Sequence, residues 1–289
     1  MTEQTIVKFI NPQSKDLALT VYKFEDDAHF NSLTNYNCFS MILVTKGKGT
    51  LLADVSAYTF TENSLLCFSL YQPFKIKSEE ALKGIAINFH PDFFCLHKHR
   101  NEVSCNGVLF NNIYDSPVVS LTTNEMQSLL QIANELESEI QNIELAQYDL
   151  LISYLKIFLI NASRIKVKQE QTEKAGKEIF IVNTLKDAIE KNFKTFHSPS
   201  NYAEVLHIST QVLNRVSKVQ CNKTLSNLIA DRIIIEAKRE LYLTFKPIKL
   251  IAYELGFNDE FYFSRFFKSK VTVSPQFYRD TIGFDRASA

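Results

Sequence analysis

Over roughly the first 120 residues, apolar positions come in short runs broken by polar turns. Phe39-Ser-Met-Ile-Leu-Val stops at Lys46-Gly-Lys-Gly, and Thr50-Leu-Leu-Ala stops at Asp54 to Ala57. Tyr58-Thr-Phe-Thr alternates up to Glu62-Asn63, and Leu65 to Leu70 and Lys83 to Phe89 are two further runs. Runs of this length, spaced by about 8–12 residues, predict β-strands in a sandwich or small barrel. After residue 120 the period changes. Thr122 or Thr123 offers an N-cap, and Leu129, Ile132, Ala133, Leu136, Ile140 and Ile143 follow at helical spacing. A second helical pattern from about Glu144 to Val167 is apolar on two sides: Leu145, Tyr148, Ile152, Leu155 and Leu159 on one, Leu151, Tyr154 and Phe158 on the other. One side can pack on the strands. The other needs a cover, either the preceding helix or a second copy of the chain.

From Lys166 to Gly176 the sequence turns polar and reads as a linker. Beyond it, Ile179, Val182, Leu185, Ile189 and Phe193 mark an amphipathic helix that Ser198-Pro-Ser ends, capping the next one. Tyr202 to Lys218 is then echoed about fifty residues later by Ile251 to Lys268. Each copy opens with a short helix carrying a small residue (Ala203, Ala252) and runs through Leu206 or Leu255 into a tight turn. Each then starts a second helix that carries an Arg (Arg215, Arg265) and, three residues on, a Lys (Lys218, Lys268). Helix, short turn and polar-tipped helix is the order of a helix-turn-helix. Ser209 is placed to cap the first recognition helix, and His207 stands at the turn where the second copy has Gly256. His is among the side chains that tolerate positive φ, so a turn role suits it better than a catalytic one. Thr224 to Leu243 connects the copies as an amphipathic rod of roughly 30 Å, close to the ~34 Å of one turn of DNA.

The pattern therefore divides the chain at 1–120 (barrel), 121–167 (helical segment), 168–177 (linker) and 178–289 (two helix-turn-helix units). The fold class is α+β and multidomain, with an all-α C-terminal domain.

Charge adds to this picture. The chain carries 32 basic and 32 acidic residues, yet from Lys177 onward 17 basic residues stand against 12 acidic ones. A basic C-terminal part beside an acidic remainder fits a nucleic-acid module joined to something else. Five cysteines, scattered and without a CxxC pair, argue against a disulfide framework or zinc ribbon and for a reducing compartment. The N-terminus has no signal-peptide pattern, and the most apolar run, Leu150 to Ile160, is too short to span a bilayer. A cytoplasmic location without membrane attachment is expected.

Two stretches resemble a known family. FSMILVTKGKGTLLADVSAYTFTENSLLCFSLYQPFKI is similar to the cupin-type barrel found N-terminally in AraC/XylS-family transcription regulators. LNRVSK, AKRELYLTFKPIKLIAYELGFNDEFYFSRFFK and VSPQFYR resemble that family's double helix-turn-helix domain over about residues 180 to 280. The resemblance implies a regulator that binds double-stranded DNA, forms a homodimer through the middle helices and activates by contacting RNA polymerase. It places Thr210, Gln211, Asn214 and Arg215 on the first recognition helix against DNA, and Asp259, Glu260, Ser264 and Arg265 on the second. Arg can fork onto guanine, and Gln or Asn can pair with adenine. Lys218 and Lys268 suit phosphate. Glu260 near phosphates is costly unless it accepts from cytosine N4 or holds an Arg. Phe257, Phe263 and Phe266 recur at helical spacing and are expected in the core. Ser217 departs from the family pattern, which places Phe before the Lys.

Many cupins are metalloenzymes, so that reading needs weighing. The strands between Phe39 and Ile76 hold no His, and no metal, cofactor or catalytic residue is expected there. His90, Cys95, His97 and His99 lie together in sequence but suit a polar loop better than a site with four fixed ligands. The barrel interior is either a pocket for a small-molecule effector, of unknown lining, or filled by its own side chains. The alternatives to an effector-controlled regulator are one governed by a protein partner or by abundance and, less well supported, a cupin-type enzyme.

Overall fold

A computed structural model describes residues 6–12, 15–96, 99, 107–172 and 177–282. The chain divides into two compact units, residues 1–112 with 117–172 and residues 113–116 with 173–289. The helical segment after residue 120 thus belongs to the same unit as the strands.

Among the described residues the first unit holds nine strands in two antiparallel sheets. β1 (Ile6–Ile10), β2 (Leu17–Phe24), β3 (Phe39–Lys46), β6 (Ser64–Phe68), β8 (Lys83–Phe89) and β9 (Val118–Ser120) make the larger sheet in the order β1-β2-β8-β3-β6-β9. β4 (Gly49–Ala53), β5 (Ser56–Phe60) and β7 (Phe74–Ser78) make the smaller one in the order β5-β4-β7. Among the described residues the ladders leave the larger sheet with two ends, so of the two arrangements the sequence allowed, sandwich or small barrel, this is the two-sheet sandwich. β1, β2, β7 and β9 also go beyond the runs picked out from sequence. Leu17–Phe24 is partly hidden because Thr20 and Lys23 interrupt its apolar residues.

Alternation assigns the faces. Tyr22, Ala86, Ile42 and Leu66 lie opposite one another across four strands of the larger sheet. With Leu51, Ala53, Phe60, Phe74 and Ile76 of the smaller sheet they form one buried cluster. Phe68 and Phe74 stack across it with ring centres 3.8 Å apart. The other face of the larger sheet is buried as well, since Leu19, Val21, Met41, Leu43, Leu65 and Ile87 are all inaccessible. Helix α1 (Thr123–Gln141) covers it with Met126, Leu129, Ala133, Leu136 and Ile140. This double burial explains why β6 reads as an unbroken apolar run. Thr122 caps α1 in a reciprocal box with Glu125, and Lys23 of β2 pairs with Glu137 at 2.5 Å.

Helix α2 (Gln147–Thr172) packs against α1, burying Leu151, Leu155, Phe158, Leu159 and Ala162. It continues five residues past Val167 into the expected linker. Lys, Gln and Glu are good helix formers, so a polar composition here extends the helix instead of ending it.

The second unit is helical: α3 (Lys177–Asn192), α4 (Pro199–Leu206), α5 (Thr210–Cys221), α6 (Leu225–Leu243), α7 (Ile248–Glu254), α8 (Glu260–Val271) and α9 (Pro275–Ile282). α6 is the shared support, contacting α3, α4 and α5 as well as α7, α8 and α9.

Replacing Phe68 by Ala removes the ring that joins the two sheets. A loss of about 3–5 kcal/mol is expected in urea unfolding followed by a probe in the first unit. A loss below about 1 kcal/mol would show that the stack does not hold the sandwich.

Candidate nucleic-acid interface

Each helix-turn-helix is shaped by local chemistry. Ser198 caps α4, with Pro199 at its first position, and Ser209 accepts from the Val212 amide at the start of α5. The turn between them passes through His207 at φ 53°, in the left-handed region. In the second copy Gly256 takes that place at φ 82°. There the demand is stricter, because a Cβ on Gly256 would stand 2.1 Å from the Lys194 carbonyl oxygen. The His197 ring lies beside it, donating from Nε2 to the Leu255 carbonyl at 2.8 Å and packing on Phe257 at 4.8 Å. The turn that follows α3 is thereby seated on the turn of the second copy. Half-burial pushes the His197 pKa below its usual value, against the pull of its carbonyl partner.

The recognition helices α5 and α8 each have twelve residues and align at an offset of fifty. Their inner stripes differ in bulk: Leu213, Val216 and Ser217 stand where the second copy has Phe263, Phe266 and Phe267. Phe263 and Phe267 are fully buried, while Phe266 is half-buried, 5.2 Å from the Phe257 ring. Ser217 is also fully buried, and its hydroxyl has no hydrogen-bond partner among the described residues. The expected aromatic is missing from the first copy, and an orphan hydroxyl sits in its place.

The outer stripes carry the candidate reading groups. On α5, Gln211, Arg215 and Lys218 are exposed, and Thr210 at its first position is half-exposed. On α8, Arg265 and Lys268 are exposed, with Glu260 and Ser264 half-exposed. Two further residues are engaged locally. The Asn214 side-chain oxygen accepts from the Leu225 amide at 3.0 Å and so ties α5 to the start of α6. Asp259 caps α8, its carboxylate accepting from the Phe261 and Tyr262 amides at 3.1 and 2.9 Å. Sequence reasoning did not single out Phe261 and Tyr262, which are 67% and 57% exposed on the first turn of α8. Aligning the copies at an offset of fifty, which sets Phe261 against Gln211, was the signal available.

α6 carries the ion pairs that brace the unit. Buried Glu236 accepts from Arg239 at 2.7 Å and pairs with Arg232 at 3.4 Å and Lys194 at 3.8 Å. Burial pushes its carboxyl pKa up, but the Arg239 hydrogen bond, with the charges of Arg239, Arg232 and Lys194, outweighs this and holds it below the usual value. Further along, Lys246 pairs with Glu240 at 3.1 Å and with Glu254 of α7 at 2.5 Å.

The His-rich stretch of the first unit looks different in three dimensions. Buried His90 turns its Nδ1 to Asp92 at 3.2 Å, Cys95 is buried, and His99 stacks on Phe94 with centres 4.7 Å apart. His97 lies outside the described residues. Among the described residues no group of three or more His, Cys, Asp or Glu is placed to hold a metal ion, and no helix is long and apolar enough to cross a membrane.

Two helix-turn-helix units on one connecting helix define the C-terminal unit as a DNA-binding domain. Comparison with known proteins agrees: residues 202–281 match the family described as a helix-turn-helix domain. The raffinose operon transcriptional regulatory protein RafR of Pediococcus pentosaceus is 27% identical over 159 residues, 55% of this chain and 54% of that protein. The chain thus spans about half the length of that relative. The uncharacterized HTH-type transcriptional regulator YfiF of Bacillus subtilis (strain 168) is 24% identical over 263 residues, 87% of this chain and 80% of that one. Among solved structures, ToxT from Vibrio cholerae O395 aligns over 91% of this chain and 97% of its own, with 18% identity and a TM-score of 0.42. In class, the C-terminal unit is a DNA-binding helix-turn-helix domain. It is of the AraC type.

Gly256→Ala should destabilise the second unit by roughly 2–4 kcal/mol, through positive φ and the clash with Lys194. Denaturation that leaves stability within about 0.5 kcal/mol of the parent would disprove the close approach.

His197 supplies a pH signature. Its folded pKa lies below the 6.5 of the unfolded chain, so below pH 6.5 the unfolded state binds more protons. Stability should therefore fall as pH drops from about 6.5 through the folded pKa. Thermal midpoints of the parent and His197→Gln, compared between pH 7.5 and 5, should converge on acidification. Parallel pH curves would count against it.

Proposed function

We propose that this chain is a sequence-specific regulator that reads two successive major grooves on one face of double-stranded DNA and activates transcription by contacting RNA polymerase. The observation that carries this reading is the pair of matched recognition helices held by α6. Its 19 residues make a rod of about 28 Å, against a DNA turn of about 34 Å. Arg215 and Arg265 fork onto guanines, and Gln211 and Ser264 read neighbouring base edges. Lys218 and Lys268 take phosphates, and Thr210 and Glu260 flank the contacts at the helix starts. Asn214 and Asp259 act by holding these helices in place.

The regulator works as a homodimer joined through α2. Leu150 and Ile157 stay exposed on that helix, and Ile143 and Leu145 on the turn before it, after α1 has covered the other side. A helix that buries one apolar face and exposes another is suited to a second copy. Control by a small-molecule effector is supported by the inner face of the larger sheet. Thr20, Asn88 and Ser40 lie opposite one another there, and Tyr22 hydrogen-bonds to Asn88 and Tyr36. Ser40 is 1% exposed, and its hydroxyl has no hydrogen bond of ordinary length among the described residues, though the Cys38 thiol lies beside it. No enzymatic role is proposed.

Selection of binding sites from random duplex DNA by the full chain tests the reading. A site with two blocks about one helical turn apart is expected, recovered as paired copies if the dimer forms. Arg215→Ala should weaken binding to that site by about 1–3 kcal/mol while leaving the fold intact. Absence of any enriched sequence at low salt would refute specific DNA binding.

A further inference from the structure

The outer stripe of α8 begins with a residue that is neither a hydrogen-bonding group nor part of the core. Phe261, Ser264, Arg265 and Lys268 recur at i, i+3, i+4 and i+7, so they share one face of the helix. Phe263, Phe267 and Val271 are buried on the opposite side. Phe261 is 67% exposed in the first turn, the part of a recognition helix that meets base edges. Its backbone is fixed, because the Asp259 carboxylate accepts from the Phe261 amide at 3.1 Å and from its neighbour at 2.9 Å.

The fifty-residue offset gives this position a counterpart. Arg265 stands where Arg215 stands, Lys268 where Lys218 stands, and Phe261 where Gln211 stands. Two cationic positions are thus shared by the two helices, α8 adding Lys270 where α5 has Gln220, and the leading position differs in kind. An amide in that place can pair with adenine. A phenyl ring cannot donate or accept a hydrogen bond, and the one apolar group on the floor of the major groove is the C5-methyl of thymine.

We propose that Phe261 is a specificity-determining residue that packs on the C5-methyl of a thymine in the second major groove. The two helices, alike in backbone and in the Arg and Lys of that outer face, then read different bases, and the paired site is asymmetric in sequence. This rests on the reading that α8 enters a major groove.

The test uses the full chain and the consensus duplex it recovers from a random pool. Each thymine of the second block is replaced in turn by deoxyuridine, which removes the methyl group and leaves the pairing edge unchanged. One replacement should weaken binding by the parent roughly fourfold, the scale of one buried methyl. Phe261→Ala should bind the thymine and deoxyuridine duplexes equally and keep the parent's thermal midpoint. Phe261→Gln should shift the selected base at that position from thymine towards adenine. The proposal is overturned if no single replacement matters to the parent, or if Phe261→Ala still discriminates. It is equally overturned if Phe261→Ala binds and discriminates as the parent does and loses only transcriptional activation, since the ring would then dock on a protein. Failure to recover any consensus duplex would instead remove the DNA-reading function itself.

Discussion

Whatever the C-terminal unit presents to a duplex depends on Leu225–Leu243 being one uninterrupted helix. Ile229, Ile233, Ala237 and Leu241 are all buried along it, and no single helix-turn-helix could bury them alone. Each helix-turn-helix is too small to enclose a core of its own, and sharing a rod solves that problem for both. The same sharing fixes the separation of the recognition helices, so stability and recognition geometry come from one packing arrangement. Thr224 starts the rod by accepting from the Asn227 amide, and Asn214 of the preceding helix holds the adjoining Leu225 amide. The acidic residues near its far end are neutralised by Arg232, Arg239, Lys194 and Lys246.

The two copies share a pattern and differ in how they are filled. The second has four aromatic rings, Phe257, Phe263, Phe266 and Phe267, in mutual contact around its turn. The first has Leu213, Val216 and the orphan hydroxyl of Ser217 at the matching places, with a strained His207 where the second has glycine. Buried polar groups without partners and left-handed side chains each cost stability. The first copy is therefore the looser of the two, and the contact from His197 to the second turn links the rigid copy to the helix on which the looser one sits.

In the first unit the larger sheet is buried on both faces, and one end of its inner face gathers several polar side chains. There Ser40, Asn88, Tyr22 and Tyr36 sit among groups whose charged forms are disfavoured: burial raises the pKa of Tyr22 and Tyr36 and pushes the Cys38 thiol up to about 12. Such a lining stays neutral across the physiological range. It suits hydrogen bonding to an uncharged group better than salt-bridging to a charged one.

The local chemistry of this protein was legible in its sequence. Capping by Ser198, Ser209 and Thr122, the turn roles of His207 and Gly256, and the fifty-residue echo all follow from residue types that act on their immediate neighbours. What escaped was of two kinds, a helix end hidden by polar composition and features decided by distant segments. Polar residues 168–172 continue a helix because their propensity is high and no breaker intervenes. The outer ladders formed by Ile6–Ile10 and Val118–Ser120 exist only through pairing with strands remote in sequence. Asn214 and Asp259 are candidate DNA contacts that also hold backbone amides: Asp259 those of its own helix start, Asn214 that of Leu225, which becomes its neighbour only once α5 and α6 are set side by side. Sequence alone determined the helices and turns of the second unit and the central strands of the first. Tertiary structure decided which polar side chains remain available to a ligand, since availability is what packing leaves over.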